Sequence, residues 1–400
     1  MKKLYKVAIV GGGASGLMCA LELLSGENPL KGEDVLVLER NDRVGKKLVA
    51  TGNGQGNLSN TQILRANFHG EKDFVNAFYT KLKDFDLEAY LKKFGIYLKT
   101  DEEGRKYPIS LSASSFLDVI LEFLKSKKCT FCTNDKVVSA RVRNGVYDIF
   151  SENNTFTAQN LVLAVGGNVG AQFGTDGSSY SLALDFGHAI TELYPSLVQL
   201  KTDTSKIKAL KGIKEKARVS AVINGNVVSS AVGDLLFTDY GVSGSTVFKV
   251  SSAFTNEKDK KLLIEFLPEF TSEQVHEILS SRKNLEIYEN EKIFWGLINK
   301  RVGTAIYKSS KTNEIDDLVY ALKNFTLSVT GTLGNNYAQV TKGGIKTQDV
   351  NPFTFKSKKQ NGLYLLGEML DVDGDCGGYN LTFAFSSAVF CAEHIKTLFD

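Results

Sequence analysis

The feature that most constrains the fold of this chain is a glycine-rich segment near its N-terminus. Lys6–Val10 is a short apolar run rich in β-branched residues, typical of a strand buried on both faces. Gly11-Gly-Gly-Ala-Ser-Gly16 follows directly, and apolar residues then recur at helical spacing at Leu17, Ala20, Leu21 and Leu24. This order predicts a dinucleotide-binding turn, in which Gly11 permits the bend, Gly13 leaves room for a diphosphate and Gly16 lets the helix approach the strand. The helix N-terminus would offer free N–H groups and a partial positive charge to the phosphates.

A second strand supports the same prediction. Asp34–Leu38 has the composition of a buried strand, and it ends in Glu39, about 20 residues after the glycine turn. A carboxylate in this place can accept hydrogen bonds from both hydroxyls of an adenosine ribose. A glycine turn alone occurs in many α/β proteins, but the complete set of strand, helix, second strand and terminal Glu39 predicts dinucleotide binding.

The C-terminal part repeats the strand-loop-helix arrangement. Gly362–Gly367 is predicted to be a buried strand between two glycines, and the loop Asp371–Asn380 follows it. Helical periodicity comes next, at Leu381, Ala384, Phe385, Ala388, Val389 and Ala392. The N-terminus of this helix would stabilise a reduced flavin, whose negative charge collects at N1 and the C2 carbonyl, whereas a nicotinamide has no comparable need. This favours FAD as the bound dinucleotide.

A third strand also ends in glycines. Asn160–Ala164 is apolar after its first residue, and Gly166 and Gly167 close it, a form typical of a chain that passes close beneath a dinucleotide. No second G-x-G-x-x-G follows a strand, so a separate NAD(P)H domain is not expected. NAD(P)H stays open as a transient reductant.

Bulk composition narrows the class of protein. Four hundred residues predict two or three domains, and 42% apolar with 23% charged residues is ordinary for a globular chain. The net charge is +3 and no basic stripe is present, so nucleic-acid binding is not predicted. The sequence has no stretch of about 18 apolar residues, so no membrane span is predicted. Five cysteines at this length favour reduced thiols. We therefore expect a soluble cytoplasmic protein with a small-molecule substrate, and the sequence does not fix its oligomeric state.

The chain resembles a known family, the YhiN-like (BaiN-like) flavoproteins, also described as NAD(P)/FAD-dependent oxidoreductases or aminoacetone oxidases. Besides the N-terminal glycine turn, the resemblance lies in residues 45–48, 51–54, 57–60, 104–110, 235–244, 341–345 and 362–381. It implies an α/β fold: a discontinuous FAD-binding, Rossmann-like domain of the glutathione-reductase type, interrupted by an insert that carries a β-barrel and a helical subdomain. One departure stands out, because Gln55 and Gly56 occupy the place of an arginine and a cysteine in the family. A function that needs the positive charge of that arginine is therefore not expected of this chain, although Gln55 can still donate a hydrogen bond.

The pattern along the chain agrees with such an insert. The FAD-binding domain is predicted over residues 1–190 and 334–400, an inserted β-rich domain over 191–270 and 325–333, and a helical subdomain over 271–324. Leu197–Leu200, Ala217–Ile223 and Leu262–Leu267 are predicted strands, with a turn at Asn224-Gly225. The insert is expected to cover the flavin and supply the substrate cavity, because ligand sites favour domain boundaries.

The motifs and the resemblance together give a set of predicted FAD-binding residues. They are Gly11, Gly13, Ala14, Ser15, Gly16, Glu39, Arg40, Lys46, Lys47, Thr51, Gly52, Asn53, Gly54, Asn57, Val138, Ala164, Gly166, Gly167, Gly344, Gly367, Glu368, Asp371, Gly378, Tyr379, Asn380 and Leu381. Lys46 and Lys47 either neutralise the diphosphate or face water. One of Glu368 and Asp371 is predicted to bind the ribityl or diphosphate region, the alternative being a helix or loop cap.

Other reactive side chains receive structural interpretations. Cys129 and Cys132 are not expected to form a redox pair, because positions three apart on a strand point to opposite faces. Cys376 lies where the flavin is expected, but small-residue packing is favoured over flavin chemistry. His188 is interpreted as a capping or buried residue. No metal site is predicted, and no catalytic residue is assigned because a flavin carries its own chemistry.

Three hypotheses for the reaction follow. In the first, FAD accepts a hydride from a small organic substrate, for example an amine such as aminoacetone, and passes electrons to oxygen or another acceptor. In the second, NAD(P)H reduces the flavin, which then reduces an unsaturated substrate. The third, a flavoprotein that acts on RNA, is disfavoured by the nearly neutral charge.

Overall fold

The structure is a computed structural model that describes residues 3–399. Contacts between residues divide it into two compact units. Unit 1 extends to Tyr194 and resumes at Val340, and unit 2 is Pro195–Gln339.

Helices of both units have the following bounds. They are α1 (Ala14–Leu23), α2 (Lys46–Val49), α3 (Lys72–Leu82), α4 (Leu87–Lys92), α5 (Ala113–Ser126), α6 (Ser181–Leu184), α7 (Ser245–Ser251), α8 (Ser272–Lys283), α9 (Lys300–Ser309), α10 (Ile315–Lys323) and α11 (Tyr379–Lys396). Among residues 3–399, no helix combines the length and the apolar character that crossing a membrane requires.

Strands have the following bounds. They are β1 (Leu4–Val10), β2 (Val35–Leu38), β3 (Ser59–Asn60), β4 (Phe68–Gly70), β5 (Leu98–Thr100), β6 (Arg105–Pro108), β7 (Thr130–Cys132), β8 (Val137–Arg143), β9 (Val146–Ser151), β10 (Thr155–Leu163), β11 (Tyr194–Ser196), β12 (Leu200–Thr202), β13 (Lys214–Ile223), β14 (Asn226–Phe237), β15 (Gly241–Ser243), β16 (Lys260–Phe266), β17 (Phe325–Thr332), β18 (Val340–Lys342), β19 (Leu363–Leu365) and β20 (Val372–Gly374).

A mixed sheet forms the centre of unit 1. Its strand order is β7-β2-β1-β10-β9-β8, and β19 also pairs with β10. Strands β7, β2, β1, β10 and β19 are parallel, whereas β9 and β8 are antiparallel additions. The parallel strands are apolar because both of their faces are covered, and every residue of β2 is buried. The predicted Rossmann-like α/β fold is confirmed.

Helices α1 and α11 carry the two predicted cofactor loops and pack against each other in unit 1. Every residue of α1 from Ser15 to Leu23 is buried. The helix is apolar almost all round, as expected for one enclosed by other elements. The strand-turn-helix segments at the two ends of the sequence are therefore neighbours in space.

Unit 2 contains a closed barrel in the strand order β12-β15-β14-β13-β16-β17. The inward positions of β13 alternate with outward ones, so that Ala217, Val219 and Ala221 are fully buried. Helices α8, α9 and α10 contribute Leu279, Ile306 and other apolar side chains to the same core. Barrel and helices therefore share one hydrophobic interior.

The predicted strand Leu197–Leu200 is wrong. Leu197 has φ 51°, a left-handed conformation that interrupts an extended chain, and β12 begins only at Leu200. Ala217–Ile223 is confirmed as part of β13, and Leu262–Leu267 is confirmed as far as Phe266, where β16 ends before Leu267 at φ 51°. The turn at Asn224-Gly225 joins β13 to β14, and both residues have positive φ, as a tight hairpin turn requires.

Candidate functional site

The glycine turn after β1 has the geometry of a phosphate loop. Gly11 has φ 108°, and a Cβ there would lie 2.2 Å from the Ala164 carbonyl oxygen. A Cβ at Gly16 would lie 1.9 Å from the Gly11 carbonyl oxygen, so helix and strand meet without side chains between them. A Cβ at Gly13 would meet nothing within 4 Å, and no described side chain caps α1. The N–H groups of Ala14 and Ser15 are thus available to an anion.

Glu39 fastens this turn to the end of β2. Its Oε2 accepts a hydrogen bond of 2.8 Å from the Gly12 N–H, and its Oε1 accepts from the N–H and side-chain amide of Asn41 at 2.9 and 2.7 Å. Only 8% of Glu39 is exposed. The carboxylate therefore sets the shape of the turn, and its contact with a ribose stays a prediction.

The chain just before β8 lies next to Glu39. The Asp135 N–H donates to the Glu39 carbonyl at 3.2 Å. The register of β8 with β9 shifts between Val137 and Ser139, so Val138 has no partner in this ladder. A bulge of this kind leaves backbone groups available for a ligand, and the FAD contact of Val138 stays a prediction.

Arg40 and Asn41 hold a second loop against the same edge of unit 1. Arg40 donates to the Gly174 carbonyl at 3.1 Å and to Asp176 at 2.8 Å. Asn41 donates to the Phe173 carbonyl at 2.9 Å. Burial opposes ionisation of Asp176, but the Arg40 and Ser178 hydrogen bonds hold its pKa well below the usual value. Arg40 is therefore committed to this loop, and Asn41 and Asp176 were missed because no local motif marks them.

The two lysines of α2 have protein partners. Lys47 Nζ donates to Glu368 at 2.7 and 2.9 Å and to the Val169 carbonyl at 3.2 Å. Glu368 also accepts the Thr341 N–H at 3.0 Å. Lys46 pairs with Asp42 at 2.5 Å. Neither lysine simply faces water, and the Lys47–Glu368 pair joins the loop after β19 to α2.

The loop Thr51–Asn57 is shaped by left-handed backbone. Gly52, Asn53 and Gly54 have φ of 56°, 54° and 85°, and all three are exposed. Thr51 Oγ1 donates to the Leu48 carbonyl at 2.7 Å. In the orientation that satisfies both ends of its amide, Asn57 donates to the Ser59 carbonyl and accepts from the Gly378 N–H. The loop thus lies beside the N-terminus of α11.

At the N-terminus of α11, the side chains of Tyr379 and Asn380 contact other parts of the protein, whereas the backbone N–H groups of the first turn are available to a ligand. Asn380 accepts from the Gly374 N–H and donates to the Gly374 carbonyl, both at 2.8 Å. The Tyr379 ring packs edge-on against Phe68 with centroids 6.2 Å apart. Gly378 precedes the helix at φ 101°, and no side chain in the described chain caps α11. The N–H groups of Tyr379 to Leu381 are the part of this predicted site that can face a flavin.

Four more predicted glycines mark places of close approach. A Cβ at Gly367 would lie 2.0 Å from Ser15 Oγ, so β19 and α1 touch at the phosphate loop. A Cβ at Gly167 would lie 2.2 Å from Thr341 Oγ1, and one at Gly166 would lie 2.7 Å from Thr175. A Cβ at Gly344 would lie 2.6 Å from the Leu370 carbonyl carbon. A side chain at any of these four glycines would therefore collide with a neighbouring segment.

Acidic residues follow β19 and continue into β20. Burial raises the pKa of Asp371, and the Thr191 hydrogen bond opposes that rise. Burial also raises the pKa of Asp373 to about 6. His69 lies opposite Asp373 in the β4–β20 pair, and its Nε2 is 2.7 Å from Asp375. The hydrogen bond to Asp375 raises the pKa of His69.

The thiols and His188 lie in other surroundings. Cys129 Sγ contacts the Val35 carbonyl, whereas Cys132 Sγ contacts Asp135, and both thiols are free. Cys376 is half-buried. His188 is 4% exposed and bonds Ser357 at 2.8 Å, and its N–H donates to the Ala183 carbonyl of α6 at 3.2 Å, so the interpretation as a buried residue that closes the helix is confirmed. Residues 3–399 hold no cluster of three or more metal-ligating side chains.

Comparison with known proteins agrees with this geometry. The family model of the HI0933-like protein Rossmann domain matches residues 5–394. The 3-dehydro-bile acid delta(4,6)-reductase of Clostridium scindens is 32% identical over 96% of this chain and 97% of its own. Ribosomal RNA dihydrouridine synthases of Haemophilus influenzae and Escherichia coli are 27% and 26% identical, over 97% and 98% of this chain and 98% of each enzyme.

Solved structures show the fold. A variant of E. coli quinol fumarate reductase FrdA superimposes with a TM-score of 0.50 at 13% identity, over 99% of this chain and 71% of the other. The glycine turn before α1, the Glu39 carboxylate and the uncapped N-terminus of α11 all fit FAD. The chain belongs to the HI0933-like Rossmann family and is an FAD-dependent oxidoreductase.

Proposed function

We propose that this protein reduces a carbon–carbon double bond conjugated with a carbonyl group in a small organic molecule. The observation that carries the proposal is its 32% identity, along nearly the whole chain, to an enzyme named as a delta(4,6)-reductase. The relatives named dihydrouridine synthases point to the same bond chemistry, because dihydrouridine is uridine with the double bond beside its carbonyl saturated. Reduction is therefore favoured over amine oxidation.

The described residues divide the work of holding FAD. The first turn of α1 would bind the diphosphate, Glu39 the adenosine ribose, and the first turn of α11 the pyrimidine edge of the flavin. Bound FAD supplies the hydride chemistry, with a reduced nicotinamide proposed as its source of electrons. The 18-residue helix α11 favours negative charge at its N-terminus, which lowers the cost of the reduced state.

Saturating a conjugated double bond also needs a proton on the carbon next to the carbonyl. His69 of β4 with Asp375 is a suitable donor, because Asp375 lies on the loop that leads into α11 and the imidazole is half exposed. The Asn67 side chain holds Asp375 at 3.1 Å, and the charge of Asp373 also favours the protonated imidazole, whereas Lys342 opposes it. A positioned imidazolium can give a proton and recover it from solvent.

An anaerobic half-reaction tests the proposal without knowledge of the natural reductant. The flavin is reduced with light, and its visible spectrum is followed after mixing with a steroid 4-en-3-one, a simple enone or buffer. Rapid return of the oxidised spectrum with an enone, and not with buffer, is expected. No return with enones, together with bleaching of oxidised enzyme by aminoacetone, would instead support amine oxidation.

RNA is a second candidate because two relatives are named for ribosomal RNA. The same reduced enzyme is mixed with a ribosomal RNA transcript and with free uridine at low and high salt. Reoxidation by the transcript alone, lost at high salt, would favour RNA over the small-molecule substrate.

A further inference from the structure

Tyr180 is a buried tyrosine whose hydroxyl lacks a partner. It ends the short turn Ser178–Tyr180 before α6, and it is 3% exposed. The hydroxyl makes no hydrogen bond to any of the residues 3–399. Buried polar atoms are nearly always paired, because an unpaired one loses its bonds to water without replacement. Such an atom points to an absent ligand where it also borders an opening, as Tyr180 does.

The ring lines a small open depression, called the cavity below. The rest of the lining is mostly backbone and small side chains: Val165, Gly166, Gly167, Gly174, Asp176, Gly177 and Ser179. One wall is the glycine pair that closes β10, and the other is the loop that Arg40 holds against the end of β2. The cavity thus lies between two segments that belong to the cofactor-binding edge of the sheet.

The charges around the cavity select the kind of group that fits it. Asp176 contributes a carboxylate to the lining, and Glu368 and Asp371 are near enough that, after burial, their charges raise the pKa of Tyr180. The hydroxyl therefore keeps its proton. Arg40 and Lys47 are already paired with Asp176 and Glu368, so neither cation is free to attract a phosphate, whereas a neutral hydroxyl can accept from the phenol and donate to a carboxylate.

We propose that Tyr180 is a cofactor-binding residue whose hydroxyl donates a hydrogen bond to a sugar-chain hydroxyl of FAD. Two parts of FAD carry that chemistry, the ribityl chain of the flavin and the ribose of the adenosine. The assignment concerns the cofactor and does not depend on the substrate proposed above.

The test compares two variants of the same chemical kind. Tyr180→Phe removes the hydroxyl and keeps the ring, and Tyr364→Phe does the same at a fully buried tyrosine in β19 whose hydroxyl also lacks a described partner. FAD is removed, and binding is measured by fluorescence titration of each apoprotein. Loss of one hydrogen bond should weaken FAD binding about 2- to 12-fold in Tyr180→Phe and leave Tyr364→Phe within about two-fold of the wild type.

A second readout separates binding from folding. The thermal midpoint of the Tyr180→Phe apoprotein should not fall, because the substitution removes no bond within the protein. Riboflavin and ADP, titrated separately, show which sugar is contacted. Weaker binding of riboflavin by Tyr180→Phe identifies the ribityl chain, and weaker binding of ADP identifies the ribose. Unchanged FAD affinity in Tyr180→Phe, an equal loss in both variants, or a lower apoprotein midpoint would each overturn the assignment.

Discussion

A buried ion pair at the far ends of α1 and α11 should govern the stability of unit 1. Lys396, the last residue of α11, donates to Glu22 in the last turn of α1 at 2.5 Å and to the Ser25 carbonyl at 3.1 Å. The Tyr90 hydroxyl donates to the other Glu22 oxygen at 2.9 Å. Both charged side chains are more than nine-tenths buried. Removal of either partner would leave a buried charge with one hydrogen bond, because Glu22 keeps only Tyr90 and Lys396 only the Ser25 carbonyl.

Lys396→Met is expected to lower the free energy of unfolding by about 3–5 kcal/mol, the usual cost of breaking a buried pair. Glu22→Leu alone should cost a similar amount. The variant with both substitutions should lose only about 1–3 kcal/mol of unfolding free energy, because it leaves the Tyr90 hydroxyl without an acceptor but leaves no buried charge unpaired. The double variant is thus predicted to be more stable than either single variant.

Urea unfolding followed by circular dichroism measures these differences, with Lys125→Met as the control. Lys125 pairs with Glu122 on the surface of α5, where both side chains are more than 70% exposed, so its loss should cost no more than about 1 kcal/mol. The reasoning fails if Lys396→Met costs as little as the control, or if the double variant loses the sum of the two single losses.

Two further predictions concern the cofactor end of unit 1. The imidazole of His69 should titrate above 6.5 in an NMR pH series, and Asp375→Asn should lower that pKa. Because folding raises the pKa of His69, its hydrogen bond to Asp375 stabilises the folded state fully at low pH, and this stabilisation is lost as pH rises through the raised pKa. An unchanged pKa in Asp375→Asn would contradict the hydrogen bond. Gly13→Ala should fold like the wild type, because its Cβ meets only open space, but it should lose FAD affinity by at least about tenfold, because that space is where the diphosphate is predicted to lie. Gly367→Ala should also be less stable than the wild type, because its Cβ would collide with Ser15. Equal melting temperatures for the two alanine variants would refute this difference.

The sequence predicts the glycine turn well because its information is local. Gly11 and Gly16 adjoin a strand and a helix with clear periodicity, and the structure places those elements as expected. The hydrogen bond from Gly12 to Glu39 joins two predicted parts, yet Gly12 was not among the predicted residues. The Gly12 N–H bonds another residue of the protein, and a motif that describes contacts with the ligand does not indicate such a bond.

Contacts between distant segments were not predictable in the same way. Lys47 pairs with Glu368 across 321 positions of sequence, and no pattern near either residue indicates its partner. Leu197 was assigned to a strand because it is apolar, whereas its left-handed φ follows from how the chain enters the barrel. Tyr180 lies among small and polar residues that resemble an ordinary surface loop. Only the fold shows that its hydroxyl is buried.

The predicted cofactor contacts are mainly backbone groups, and this explains why the family is easier to establish than the substrate. The N–H groups of the α1 and α11 first turns present the same chemistry whichever molecule meets the flavin. Relatives named for a bile acid and for ribosomal RNA both match this chain over at least 96% of its length. Side chains outside the glycine turns must therefore select the substrate. Exposed Gln55 and buried Gly56 replace an arginine and a cysteine of the family pattern in the loop beside α11, and they are the first positions at which that selection should be sought.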